Sequence, residues 1–301
     1  MSASRLSRII ATARPNFLLL TPCCLSLAVA LTIADHIPID YVLLALIFLG
    51  ALAAHASVNM LNEYQDFISG LDLNTRRTAF SGGSGTLPAK PELAKVVKFS
   101  GIACLLITIL IGFYFLAIHG WRLAPLGLTG ILLVCFYTDK ITHWPWLCLL
   151  APGLAFGPLM INGAYFVLTG HYSSAASLSS LLVFFLVNDL LLLNQFPDLQ
   201  ADQKAQRRHL PILIGRKKSA RVYAGFLLAA YSVLLLCVWL NVLPLYSLLG
   251  LASVFFAFPA ARTALQHADD MDKLKPALAL NVAIALLTPL LMATGMVLQH
   301  P

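Results

Sequence analysis

Two groups of amide and carboxylate side chains interrupt an otherwise apolar chain: Asn62, Asp66 and Asp72, and then Asn194, Asp198 and Asp202. Helical residues four positions apart lie about 40° apart on one face, so Asn62 with Asp66 presents its oxygens in one direction, as does Asn194 with Asp198 and Asp198 with Asp202. Asp72 follows Gly70, a residue type that ends helices and lets the chain fold back towards the same place. Clustered carboxylates repel one another unless a cation neutralises them, and oxygen-only ligands suit Mg²⁺ rather than zinc or copper. Magnesium completes its shell with water and substrate phosphate, so two acidic sets with cations nearby imply a metal-bridged diphosphate. The cations at hand are Arg76, Arg77, Lys140, Lys204, Arg207 and Arg208, the guanidinium groups being suited to bidentate phosphate contact.

Other residues carry weaker signals. Pro197, just before Asp198, either kinks a helix where ligands are needed or marks its terminus. Asp189 is rotated about 140° from Asn194 and reads as a protonated structural hydrogen-bonding group, and His55 as a structural residue. The run Phe80-Ser81-Gly82-Gly83-Ser84-Gly85-Thr86-Leu87-Pro88 resists regular helix and allows close backbone approach to a ligand; a plain linker fits it equally. It lacks the phosphate-loop pattern of glycines followed by Lys. Arg216-Lys217-Lys218 suits anionic lipid headgroups.

The elements that must position these groups follow from composition. The chain has 301 residues, 59% hydrophobic and 11% charged, which implies a bilayer as its solvent and an all-α fold. Apolar segments run about 15–35, 40–62, 96–118, 122–138, 145–168, 176–197, 222–240, 243–261 and 276–298, the fourth and eighth being marginal in length. They predict a nine-helix transmembrane bundle forming a single membrane-embedded domain. The net charge of +7 is not a nucleic-acid signature, because of its 20 Lys and Arg all but Arg122 fall on one side of the nine predicted crossings. That bias predicts a cytoplasmic N-terminus. Residues 1–14 are basic and are expected to be retained rather than cleaved as a signal peptide. All 6 cysteines lie in apolar segments without metal-ligand spacing and are expected to pack as small side chains.

The acidic sets end the second and sixth spans, an even number of crossings apart. Both are therefore expected at the cytoplasmic face, where they can confront one another across one cavity. Residues of about 15–140 and 145–261 would then be parallel pseudo-repeats, with 276–298 added. Paired repeats with intramembrane acids also occur in cation-coupled transporters, but transporter sites lie near the bilayer midplane rather than at one face.

At these residues the chain resembles the UbiA superfamily of intramembrane prenyltransferases. Asn62-Glu63-Tyr64-Gln65-Asp66-Phe67-Ile68-Ser69-Gly70-Leu71-Asp72 is similar to the family's first motif, and Asn194-Gln195-Phe196-Pro197-Asp198-Leu199-Gln200-Ala201-Asp202 to its second, with Arg207-Arg208 and Leu210 at the expected spacing. Arg14-Pro15 before the first span also fits the superfamily, and Tyr137-Thr138, with Gly157-Pro158, Gly163-Ala164-Tyr165 and Thr169-Gly170, resembles the menaquinone-pathway 1,4-dihydroxy-2-naphthoate branch. Glu63 stands where Asp is usual, and Gln206 replaces a usual Gly. The resemblance implies a central cavity open to the cytoplasmic side and laterally to lipid, in the cell (inner) membrane. It implies Mg²⁺ on a prenyl diphosphate held by Asn62, Asp66, Asp72, Asn194, Asp198 and Asp202. Arg76, Lys140 and Arg208 would neutralise departing pyrophosphate, with Arg207 and Tyr137 also binding substrate. Tyr64, Phe67, Phe156 and Tyr165 are candidate aromatic faces for an allylic cation attacked by an aromatic acceptor. Other acceptors of the superfamily, a haem, a hydroxybenzoate or a lipid glycerol backbone, remain alternatives.

Overall fold

The computed structural model describes residues 4–74 and 82–299, with the side chain of Asn74 excepted, and among the described residues it contains helices and connections but no strand. Arg76 and Arg77, and Phe80 and Ser81 of the glycine-rich run, lie outside the described residues. An amphipathic arm, Arg5–Thr12, precedes the long helices. These are α1 (Pro15–Ala34), α2 (Tyr41–Ile68), α3 (Pro91–His119), α4 (Trp121–Phe136), α5 (Pro145–Thr169), α6 (Ser174–Lys204), α7 (Arg216–Trp239), α8 (Leu245–His267) and α9 (Met271–Gln299).

Eight of these are long and apolar enough to cross a membrane, and α4 falls short. The eighth expected span, marginal in sequence, is full length because its helix, opening with a 3₁₀ stretch at Leu245–Ser253, continues to His267 beyond the expected end at 261. Two further boundaries differ in a way that matters for chemistry. The second expected span ends at 62, yet α2 continues to Ile68, and the sixth ends at 197, yet α6 continues to Lys204. Pro197 is therefore inside a helix, not at its end, and leaves the Leu193 carbonyl without its usual N–H partner.

Local chemistry sets the starts and stops. Asp40 caps α2 by accepting from the backbone N–H groups of Val42 at 2.8 Å and Leu43 at 3.1 Å. Gly70, at φ 77°, ends α2 in the left-handed region and turns the chain into the short helix Leu71–Asn74. Arg14 takes a φ of 54°, uncommon for a side-chain-bearing residue, and Pro15 then opens α1.

The core is formed chiefly by α1, α5, α6, α7 and α9, with Leu25, Leu27, Ile161, Phe166, Leu182, Phe196, Tyr223 and Leu234 all buried. Large apolar side chains on α3, including Phe99, Leu110 and Phe113, are instead exposed, as a lipid-facing helix requires. Buried polar groups are tied between helices: Tyr223 donates to Asn281 at 3.2 Å, and the Asn281 amide donates to the Asp189 carbonyl at 3.0 Å. Thus the neighbourhood of Asp189 is structural through its backbone, while both its carboxylate oxygens are buried without a hydrogen-bond partner among the described residues.

α5 contains a π-helical turn, Ala155–Leu159, between Pro152 and the end of the helix. It also lies against α6 at Gly153 and Gly157, where an added Cβ would collide with the Phe184 and Ser180 carbonyls. Asn188 of α6 fills the resulting hydrogen-bond gap, its Oδ1 accepting from the Gly153 N–H at 2.7 Å. Gly153→Val is expected to force α5 from α6 and cost about 1–3 kcal/mol, read as a lower Tm of the detergent-purified protein. An unchanged Tm would show that the contact is not tight.

Candidate active site

A cavity of about 300 Å³ lies between α2, α4, α5 and α6, and all of Asn62, Asp66, Asp72, Asn194, Asp198 and Asp202 line it. The extension of α2 and α6 beyond their apolar runs is what brings both sets there. On α2 the Asn62 amide donates to Asp66 Oδ2 at 2.5 Å, and the Thr138 hydroxyl approaches Asn62 Oδ1 at 3.4 Å. Arg207, from the turn after α6, donates to Asp66 and, at 3.3 Å, to Asp202 Oδ1, so one guanidinium joins the two acidic sets. His209 Nε2 lies 2.7 Å from the other Asp202 oxygen. The turn carrying them is pinned by the Arg208 N–H, which donates to the Thr142 carbonyl at 3.0 Å.

A second node lies beside Arg14, Gly82 and Gly83 of the cavity lining. Glu63 is fully buried, and its carboxylate accepts from Arg14 at 3.2 Å, from the Ser84 N–H at 2.8 Å and from the Ser84 hydroxyl at 2.5 Å. It therefore fastens the N-terminal arm and the described part of the glycine-rich run to α2. Gly83, at φ 69°, passes so close that a Cβ would stand 3.2 Å from Asp72 Oδ1. Burial, with the Asp66 and Glu63 carboxylates beside it, pushes the Asp72 carboxyl up to about 7. The pocket thus presses a proton onto Asp72 unless a cation replaces it.

The donor set fits a hard divalent ion shared with a ligand. Asp72 Oδ2 and Asn194 Oδ1 are buried and have no hydrogen-bond partner among the described residues, and both residues line the cavity. Among the described residues no group of three His, Cys, Asp or Glu side chains is placed to hold an ion by itself. The two unpartnered oxygens, one from each set, are what fit Mg²⁺, which takes few protein oxygens and completes its shell with water and phosphate oxygens.

Not every residue expected here is brought in. Tyr137, Phe156 and Arg207 line the cavity, whereas Lys140 and Arg208 are exposed and do not. Tyr64 and Phe67 pack against the cluster of Ala13, Met60 and Val97, with the Lys98 ammonium 5.1 Å above the Tyr64 ring. Helix geometry explains it: Tyr64 is rotated about 160° from Asn62, and Phe67 about 100° from Asp66. Tyr165, two and a half turns past Phe156 on α5, faces away and donates to Asp35 at the far end of α1. Conversely, Arg14 and His209 line the cavity without having been singled out as site residues, and His55, read as structural, lines it too. The Arg14-Pro15 pair was the available signal for the first; nothing local marks His209, whose place depends on the turn after α6.

Residues 19–287 match the UbiA prenyltransferase family. The chain belongs to that family. This UbiA-family chain is 29% identical over 200 residues to the 1,4-dihydroxy-2-naphthoate octaprenyltransferase of Bacillus subtilis, a match covering 65% of the chain and 62% of that relative. The chain thus spans less than two thirds of that protein's length. In fold it is similar to the apo structure of a UbiA homologue from Aeropyrum pernix K1, with a TM-score of 0.66 and 15% identity over 95% of this chain and 98% of that one. A UbiA homologue from Archaeoglobus fulgidus bound to GPP and Mg²⁺ gives a TM-score of 0.55 at 12% identity, covering 95% and 99%. The apolar helices and the family together make this a multi-pass membrane protein.

Removing Glu63 leaves Arg14 unpaired and Ser84 unfastened. Glu63→Ala is expected to cost about 2–4 kcal/mol, with Glu63→Gln costing less because it keeps an acceptor for Ser84. Thermal unfolding and limited proteolysis of the N-terminal arm check this; wild-type resistance in Glu63→Ala would remove the node from the account.

Proposed function

We propose that this protein is a Mg²⁺-dependent prenyltransferase that moves an isoprenyl group from a prenyl diphosphate to an aromatic quinone precursor of the 1,4-dihydroxy-2-naphthoate type, releasing pyrophosphate. The observation that carries the reading is that both Asn/Asp sets line one cavity and are joined there by Arg207. The Bacillus subtilis relative's name supports the naphthoate acceptor, and the Archaeoglobus fulgidus homologue's bound GPP and Mg²⁺ support the donor and the metal.

Asn62, Asp66, Asp72, Asn194, Asp198 and Asp202 would hold the metal. When bound, Mg²⁺ supplies charge neutralisation for the leaving diphosphate. Arg207 and Arg14, lining the same cavity, supply guanidinium donors to diphosphate oxygens. Phe156 and Tyr137 offer ring faces to an allylic cation, and the apolar lining from Leu133, Val187, Leu190 and Leu191 excludes the water that would quench it. The acceptor ring attacks the allylic carbon, and loss of a proton or CO₂ restores aromaticity.

In this reading α4 is the ninth crossing, short as it is, and the positive-inside bias sets the N-terminus and the cavity mouth on the cytoplasmic side of the cell membrane. Residues 15–140 and 145–261 form the pseudo-repeats, with α9 added, and isoprenyl tails extend towards membrane lipid.

The test is an assay of the purified protein with a prenyl diphosphate, Mg²⁺ and a panel of naphthoate, hydroxybenzoate, haem and glycerol-lipid acceptors, read by mass spectrometry. A prenylated naphthoate is expected, lost on chelation of Mg²⁺ and lowered at least about 10²–10³-fold by Asp66→Asn or Asp198→Asn. Full activity in either variant would sink the assignment of roles; a product on another acceptor alone would reassign the substrate.

A further inference from the structure

His55 is the one imidazole set deep in this cavity on α2, and the diphosphate reading leaves it without a task. It lies seven residues before Asn62 and eleven before Asp66, so all three share a face of α2, Asn62 and Asp66 each within about 20° of His55, while His55 sits roughly 10 Å further into the bundle than Asn62. That separation is about the reach of a metal-bound diphosphate and one aromatic ring.

The ring of His55 is fixed on two sides. Its Nδ1 lies 2.9 Å from the hydroxyl of Thr21, a fully buried residue of α1, and its edge meets the Phe156 ring at a centroid distance of 4.8 Å and an interplanar angle of 78°. Phe156 belongs to the π-helical turn of α5, an irregularity that commonly accompanies a ligand site. Among the described residues no hydrogen bond to Nε2 is found, and His55 lines the cavity. In the tautomer that carries its proton on Nδ1 and donates it to the Thr21 hydroxyl, which is the one the reaction below requires, Nε2 holds a lone pair. A packing histidine would need neither an oriented ring nor an open nitrogen at the wall of a cavity.

We propose that His55 is the hydroxyl-recognising residue of the acceptor subsite, its Nε2 accepting a hydrogen bond from a ring hydroxyl of a hydroxyaromatic substrate lying between Phe156 and the acidic clamp. This rests on the prenyl-transfer reading and deepens it. As the allylic C–O bond breaks and its electron pair leaves with pyrophosphate, a ring π pair forms the new C–C bond and the hydroxyl proton passes to Nε2. The products of that step are the ring ketone and an imidazolium. Loss of a proton to water, or of CO₂, from the alkylated carbon returns its bonding pair to the ring, and the imidazolium proton returns to oxygen. An acceptor lacking a hydroxyl would leave Nε2 unpaired in an apolar wall, which is how such a site discriminates.

The experiment compares binding of 1-naphthol and 1-methoxynaphthalene to the full chain in lipid nanodiscs, for wild type, His55→Ala and His55→Gln. Taking the affinity ratio within each protein and comparing proteins cancels lipid partition. The wild-type ratio is expected to exceed that of His55→Ala at least fivefold, with His55→Gln between them because its amide oxygen can still accept. Mg²⁺-dependent binding of geranyl S-thiolodiphosphate serves as the check that each variant is folded. Should His55→Ala not fold, ¹⁵N-histidine NMR of wild type decides: a shift of the His55 Nε2 resonance with 1-naphthol and not with 1-methoxynaphthalene is expected. An equal ratio in wild type and His55→Ala, or no shift, overturns the proposal. If the wild type prenylates a ring while the ratio is unchanged, only the role of His55 fails; if the ratio falls and no ring is ever prenylated, the transfer reading fails and the hydroxyl subsite stands.

Discussion

Like charge at close quarters is the constraint around which this protein is arranged. Asp66, Asp72, Asp198 and Asp202 are drawn to one cavity at the ends of two apolar helices, and four such carboxylates cannot all stay ionised there without compensation. Arg207 supplies part of it by lying between Asp66 and Asp202, and His209 adds a second partner to Asp202. Arg207 and Arg14 also favour the Asp72 carboxylate, but burial and the neighbouring Asp66 and Glu63 outweigh them and its carboxyl stays raised. A divalent cation carrying a diphosphate satisfies both needs, bringing positive charge to the acids and leaving negative charge for Arg207 and Arg14.

Close helix packing shapes the walls of this site. The close approach of α5 and α6 at Gly153 and Gly157 fixes the wall opposite α2, and the π-helical turn re-aims Phe156 into the cavity. Glu63 performs the corresponding task beside Asp72 and Gly83. Where the family's first motif carries Asp, the longer side chain here reaches Arg14 and Ser84 at once, so the position acts as a fastening rather than as an added ligand.

What was legible in the sequence was whatever local periodicity or long apolar runs encode. The four-residue spacing of Asn62 with Asp66 and of Asn194, Asp198 and Asp202 placed each set on one helix face, and all line the cavity. Hydropathy located the helix ends to within about two turns, and the ends of α2 and α6 ran past the expected bounds because polar residues extend a helix beyond its apolar run. Adjacent residues in turns were not legible. Arg207 and Arg208 have the same chemistry, and only the path of the turn directs one inward and leaves the other exposed. Of the four aromatic candidates Phe156 lines the cavity, whereas Tyr64, Phe67 and Tyr165 have suitable rings but the wrong rotation about their helices.

The central claim is that the two acidic sets act on one ligand. It is tested most directly by a double-mutant cycle on the affinity of the purified protein for geranyl S-thiolodiphosphate, measured with and without Mg²⁺ for wild type, Asp66→Asn, Asp198→Asn and the double variant. Each single variant is expected to lose most of the Mg²⁺-dependent affinity and the double variant to lose little more, a strong coupling between residues that share a ligand. Independent, additive losses, or Mg²⁺-dependent binding that survives either substitution, would contradict the account.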